Sequence, residues 1–130
     1  MDASTWETCD EYLYGIDLFN HGYWWEAHEV FEEFWRAAGR DTPLGDFFQG
    51  LIQIAAALIK DAVGARAAAR SLARAGCAKL RKTPGIVLGV ARAGLAASVE
   101  AFLSGKSDSA PFIDLAAKGA PPASEHQWPG

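Results

Sequence analysis

The sequence is poor in several things, and each shortage argues against a class of protein. Only two cysteines, Cys9 and Cys77, occur in 130 residues, and they fit no C-x-x-C or zinc-ribbon spacing. That argues against a disulfide framework, and two isolated thiols suit a reducing cytoplasm. No run of about 18 apolar residues exists, as a membrane-spanning helix would need; Leu51 to Ile59 is interrupted by Gln53 and ends at Lys60. The opening Met-Asp-Ala-Ser-Thr-Trp-Glu is acidic and lacks the basic and apolar regions of a secretory signal. No aromatic residue lies between Phe48 and Phe102. A nucleic-acid surface there would have no base-stacking platform, which argues against RNA or DNA as partner. P-loop, dinucleotide-binding glycine and G-x-S-x-G patterns are all missing.

What is present is unevenly spread. Net charge is −4, but residues 1–46 hold eleven acids against Arg36 and Arg40, while residues 60–92 hold eight bases against Asp61. Two readings stand: an acidic half packs beside a basic half or against a second subunit as a homodimer, or a basic face meets an anionic partner. Residues 19–36 carry two of the three histidines, four of the sixteen acids and three of the five tryptophans.

Helical period runs through almost the whole chain. One helix is expected from Ser4 or Thr5 to Asn20, with Ser4 and Glu7 matching a capping box and Asn20-His21-Gly22 as its stop. A second spans Tyr23 to Ala38 and ends at Gly39. A third spans Pro43 or Leu44 to Ala62, capped by Asp41 or Thr42. Gly64 separates it from an Ala- and Arg-rich fourth helix, Ala65 to Arg81. Thr83-Pro84-Gly85 makes a turn, and a fifth helix is expected from Gly89 to Leu103. No segment shows a strand pattern. The fold class that follows is all-α: a single-domain bundle of about five helices over residues 1–105, with an irregular Pro/Gly/Ser-rich tail over 106–130 anchored by Phe112, Ile113, Leu115 and Trp128.

Helical wheels sort the chemistry. With Trp24 at zero and 100° per residue, Ala27, Val30, Phe31, Phe34, Trp35 and Ala38 share its apolar arc. His28 falls at about 40° and Glu32 at about 80° on that wheel, at the arc's edge and four residues apart, so they can touch. Glu26, Glu29 and Glu33 fall on the far side, toward water. The third helix is apolar around most of its circumference, as a central buried helix is. Its remaining stripe is Gln49, Gln53 and Lys60, with small Gly50, Ala56 and Ala57 beside it. Buried amides need partners, and Gln49 or Gln53 would meet His28 and Glu32 if that stripe faces the second helix.

His28-Glu29-Val30-Phe31-Glu32 is similar to the zincin helix with its second histidine replaced by glutamate. Zinc chemistry wants a third ligand, and only His21 and His126 remain as further histidines. No metal is favoured; His28 and Glu32 would be the ligands of any metal bound. No cofactor is indicated.

The stretch Leu18-Phe19-Asn20-His21-Gly22-Tyr23-Trp24-Trp25-Glu26-Ala27-His28-Glu29-Val30-Phe31-Glu32-Glu33-Phe34-Trp35-Arg36, continued by Gln49-Gly50-Leu51-Ile52-Gln53-Ile54-Ala55-Ala56-Ala57-Leu58, resembles domain-of-unknown-function family 309. These are small helical proteins of bacteria and archaea, with some relatives in plastid-bearing organisms. The likeness covers roughly residues 11–82. It implies an all-α fold and a shared set of His28, Glu29, Glu32, Trp35 and Gln53, and it implies no activity. Relatives often carry histidine where this chain has Lys60, which weakens a metal reading and leaves a positive group for an anionic ligand.

Three functions are compatible with these residues. The first is a binding or scaffolding domain for a protein or small-molecule partner, with Trp24, Trp35, Gln49, Gln53 and Lys60 as binding residues around the His/Glu pair. The second is a hydrolase-type enzyme with His28 as general base, Glu32 orienting it and Gln53 polarising the substrate. The third is a metal-binding protein.

Overall fold

The computed structural model describes residues 5–82 and 85–116. Five helices dominate them: α1 (Asp10–Asn20), α2 (Trp24–Ala38), α3 (Pro43–Ala62), α4 (Arg66–Arg81) and α5 (Arg92–Leu103). Each packs chiefly on its neighbours in sequence, so α3 lies between α2 and α4. The all-α bundle expected from periodicity is what forms.

Local chemistry explains the boundaries. Thr42 caps α3, its hydroxyl accepting from the Gly45 amide at 2.9 Å, and Pro43 follows at the first helical position, where a missing N–H costs nothing. Gly39 (φ 92°) ends α2 and Gly64 (φ 83°) follows α3, each in a backbone region that L side chains resist.

The core runs along α3. Phe47, Phe48, Leu51, Ile54 and Leu58 are all buried, as expected of the most apolar helix. Phe48 stacks on Phe34 of α2 (centroids 5.2 Å apart) and meets the Tyr12 ring of α1 edge-on at 6.1 Å. On its other flank α3 touches α4 backbone to backbone. A β-carbon on Gly76 would lie 2.9 Å from the Gly50 carbonyl oxygen and 3.0 Å from Ile54, so only glycine fits the crossing without a shift.

Three expectations are corrected. The first helix does not run unbroken from Ser4 or Thr5: a 3-10 turn, Trp6–Thr8, precedes it, and Cys9 is extended (φ −87°, ψ 97°) before α1 begins. Burial of the Trp6 ring against Tyr12 and Gly89 outweighs local helix propensity there; Ser4 lies outside the described residues. Second, strands do occur. Ile86–Val87 (β1) and Val90–Ala91 (β2) pair antiparallel. Leu88 (φ 47°) and Gly89 (φ 80°) form their turn, and positive φ at both central residues is the hairpin conformation that matches strand twist. Leucine is costly there, but its side chain is buried and its carbonyl accepts from the Tyr12 hydroxyl at 2.8 Å. Third, α5 consequently starts at Arg92 rather than Gly89. Thr83, Pro84, Trp128 and His126 lie outside the described residues.

After α5 the chain runs without helix or strand to residue 116. Asn20 at the end of α1 grips it from both sides: the Asn20 amide donates to the Ile113 carbonyl at 2.8 Å, and the Ile113 N–H donates to Asn20 Oδ1 at 2.6 Å. Ala116 N–H donates to the Gly89 carbonyl at 2.8 Å, and Ile113 is buried.

Candidate functional site

α2 presents its aromatic and ionisable residues in a ladder. Trp24, His28, Phe31 and Trp35 recur at helical spacing. Phe31 is fully buried, whereas Trp24, His28 and Trp35 are half-buried at the margin of the core. Glu26, Glu29 and Glu33 are exposed, on the side the wheel assigns to water.

His28 Nδ1 lies 3.8 Å from Glu32 Oε1. That is an ion-pair distance if the imidazole is protonated, and it is too long for a hydrogen bond. The side chains keep 20% and 33% of their exposure, although His28 Nδ1 itself is buried. Trp25 covers the imidazole, its ring stacked on His28 at 5.4 Å and 21°. Sequence reasoning named Trp24 and overlooked Trp25; the signal was its position three residues before His28. Arg36 pairs with Glu33 at 3.1 Å rather than with Glu32. At the far end of the ladder Arg40 sits over the Trp35 ring, 5.7 Å from its centroid.

Gln49 and Gln53 are half-buried on α3 and Lys60 is exposed at its end. Gln53 lies toward α4: its β-carbon is 3.2 Å from where a Gly76 side chain would begin. Phe48, which faces α2, is about 140° away around the helix. Among the described residues no hydrogen bond or ion pair joins Gln49, Gln53 or Lys60 to His28 or Glu32.

Four side-chain polar atoms among the described residues are buried without a hydrogen-bond partner: Trp24 Nε1, His28 Nδ1, Trp35 Nε1 and Gln53 Oε1. Native proteins hold few such groups, and each asks for an explanation. All four belong to the residues singled out from sequence. Three stand on one edge of α2, at positions i, i+4 and i+11, and the fourth is on α3. The two indoles are donors only, the amide oxygen accepts, and the imidazole nitrogen does either according to its tautomer.

Among the described residues no three His, Cys, Asp or Glu side chains converge as a metal site would require; His28 and Glu32 remain a two-donor set. The Cys77 thiol is buried, points to the Ala96 carbonyl (3.6 Å), and is pushed up to about 11 by burial and by the nearby Glu100 carboxylate. A thiol held protonated is a structural residue rather than a nucleophile.

No helix of the described residues is long and apolar enough to cross a membrane. Residues 12–72 match the family model described as "Domain of unknown function (DUF309)". That segment begins in α1, contains all of α2 and α3, and ends within α4, so it includes the whole ladder and Gln53. No curated protein matches the chain.

Proposed function

We propose that, within this DUF309 domain, the outer edge of α2 is a binding site and the protein a non-catalytic binding unit. The observation that carries this reading is the set of orphaned polar atoms on Trp24, His28 and Trp35. A purely structural network would have joined them, because a buried polar atom without a partner costs about 1–3 kcal/mol. Left apart, they can pair with a ligand that displaces the side chains now covering them. Two indole donors beside an imidazole suit a partner with carbonyl or carboxylate oxygens. Trp25, exposed and stacked on His28, supplies an apolar flank.

The general-base reading has less support. Glu32 would have to orient the imidazole through a hydrogen bond, and their separation is 3.8 Å. A metal reading would rest on the same two donors.

A thermal-shift screen with amide- and carboxylate-bearing small molecules and peptides tests the proposal. Ligands that stabilise the wild-type domain should lose their effect in His28→Leu, while that variant keeps its helical circular dichroism and its own melting temperature. If His28→Leu melts well below wild type and no ligand stabilises either protein, the residues are structural and the proposal fails.

A further inference from the structure

A trough on different helices, between the first half of α4 and the end of α5, has its own chemistry and does not depend on the reading of α2. Its narrow part, about 190 Å³, is walled by Arg70, Arg74, Glu100 and Leu103. Its wider part, about 480 Å³, shares Arg70, Leu103 and Ser104 and adds Arg66, Asp61 and Asp108.

Arg66, Arg70 and Arg74 stand at i, i+4 and i+8, on one flank of α4. All three are exposed, and among the described residues none of their guanidinium groups has a hydrogen-bond or ion-pair partner. By contrast, Arg81 at the end of α4 grips Glu100 through two bonds of 2.7 and 2.8 Å, and Lys82 just after the helix holds Asp46 at 3.0 Å. The ladder also begins at the wrong end of the helix for stability. The first turn of α4 contains Arg66, no acid and no side-chain cap, where the helix dipole already favours negative charge. A local rule broken without compensation is a mark of a functional position.

The opposing negative groups are largely spoken for. Arg81 takes both Glu100 oxygens, holding that carboxyl below its usual range. The last carbonyls of α5 are closed by the chain that follows, with Ser104, Gly105 and Lys106 amides donating to Glu100, Phe102 and Ala101 at 3.0, 3.2 and 2.9 Å. Asp61 and Asp108 line only the wide part.

We propose that this trough binds a phosphorylated polyhydroxy compound, with its phosphate between Arg70 and Arg74 and its hydroxyls toward Asp61 and Asp108. Three guanidinium forks offer more donors than one carboxylate can accept, whereas a phosphate takes several bidentate contacts. Ionised Asp61 and Asp108 accept only, so they call for donors on the same ligand, and Leu103 gives its C–H face an apolar wall.

Isothermal titration of the whole chain with ribose 5-phosphate, inorganic phosphate and ribose tests this, at low and near-physiological salt. Ribose 5-phosphate should bind saturably at one site, phosphate about tenfold more weakly, and ribose not measurably. Arg70→Gln should weaken ribose 5-phosphate at least about tenfold, the loss expected for a charge-assisted contact. Asp61→Asn combined with Asp108→Asn should erase the preference over phosphate. These side chains sit at the surface, and matching thermal melts would show that the variants fold. Absence of saturable binding, an unchanged affinity in Arg70→Gln, or equal affinities for ribose 5-phosphate and phosphate in the wild type would each overturn the proposal.

Discussion

Replacing Gln53 with methionine should make the isolated protein more stable. The Gln53 amide oxygen is buried on α3 with no donor near it. Leaving such a group unpaired costs about 1–3 kcal/mol. Methionine has nearly the same length and shape and bends to fill the same space beside Gly76, so packing changes little. Allowing for the solvated part of the amide, the net gain is about 1 kcal/mol. At an unfolding entropy of about 2.1 cal/mol/K per residue, a chain of this length would then melt roughly 4 °C higher. Differential scanning calorimetry of both proteins reads the shift directly. Gln53→Glu is the counterpart: it keeps the shape, adds an unpaired carboxylate and should melt lower than wild type. A methionine variant melting several degrees below wild type would refute the reasoning, since the amide would then be a satisfied structural link.

Other outcomes follow from the core. Tyr12→Phe removes the bond to the Leu88 carbonyl and leaves that buried acceptor unpaired, so urea unfolding at constant m should show a loss of about 1–3 kcal/mol. Gly76→Ala places a methyl group 2.9 Å from the Gly50 carbonyl oxygen; chemical denaturation should report about 1–3 kcal/mol of destabilisation as α3 and α4 are forced apart. Alkaline pH should weaken the fold. Burial raises the Cys77 thiol from 9.0 to about 11, and burial raises the Tyr12 phenol as well. Both stay protonated longer in the folded state, so the Cys77 contribution is intact below pH 9 and lost by about pH 11, while that of Tyr12 declines from pH 10.0 upward. Cys77→Ala should flatten part of that decline in melts recorded across the range. At pH 8, half-buried Cys9 should react with a thiol reagent well before Cys77.

The features legible in the sequence were those written in short-range periodicity. Thr42-Pro43 and Gly39 mark helix ends by their own backbone chemistry, and the apolar circumference of α3 announces its central place. The wheel put His28 and Glu32 at the border of the core because neighbours four apart on a helix are fixed by helix geometry alone. What it could not give was the direction in which α3 turns its glutamine stripe. That depends on where Gly50 and Gly76 let two backbones meet, a contact between residues 26 apart. Similarly, Trp6 interrupts a plausible helix, and Leu88 accepts a strained φ, because of partners far away in sequence. The arginine trough was visible only as a charge imbalance until α5 closed its other wall.

The grip of Asn20 on Ile113 joins residues 93 apart in the chain. It bridges a stretch that matches the family model and a segment well beyond the end of that match. Without it, helices stacked in sequence order could peel away one at a time from the C-terminal end. With it, the last segment cannot leave without breaking two hydrogen bonds to α1 and uncovering buried Ile113. The two ends of the described fold are therefore mechanically in series. A force applied at residue 116 would load first its bond to Gly89 and then, through Ile113, the first helix, and the molecule should yield as one cooperative unit.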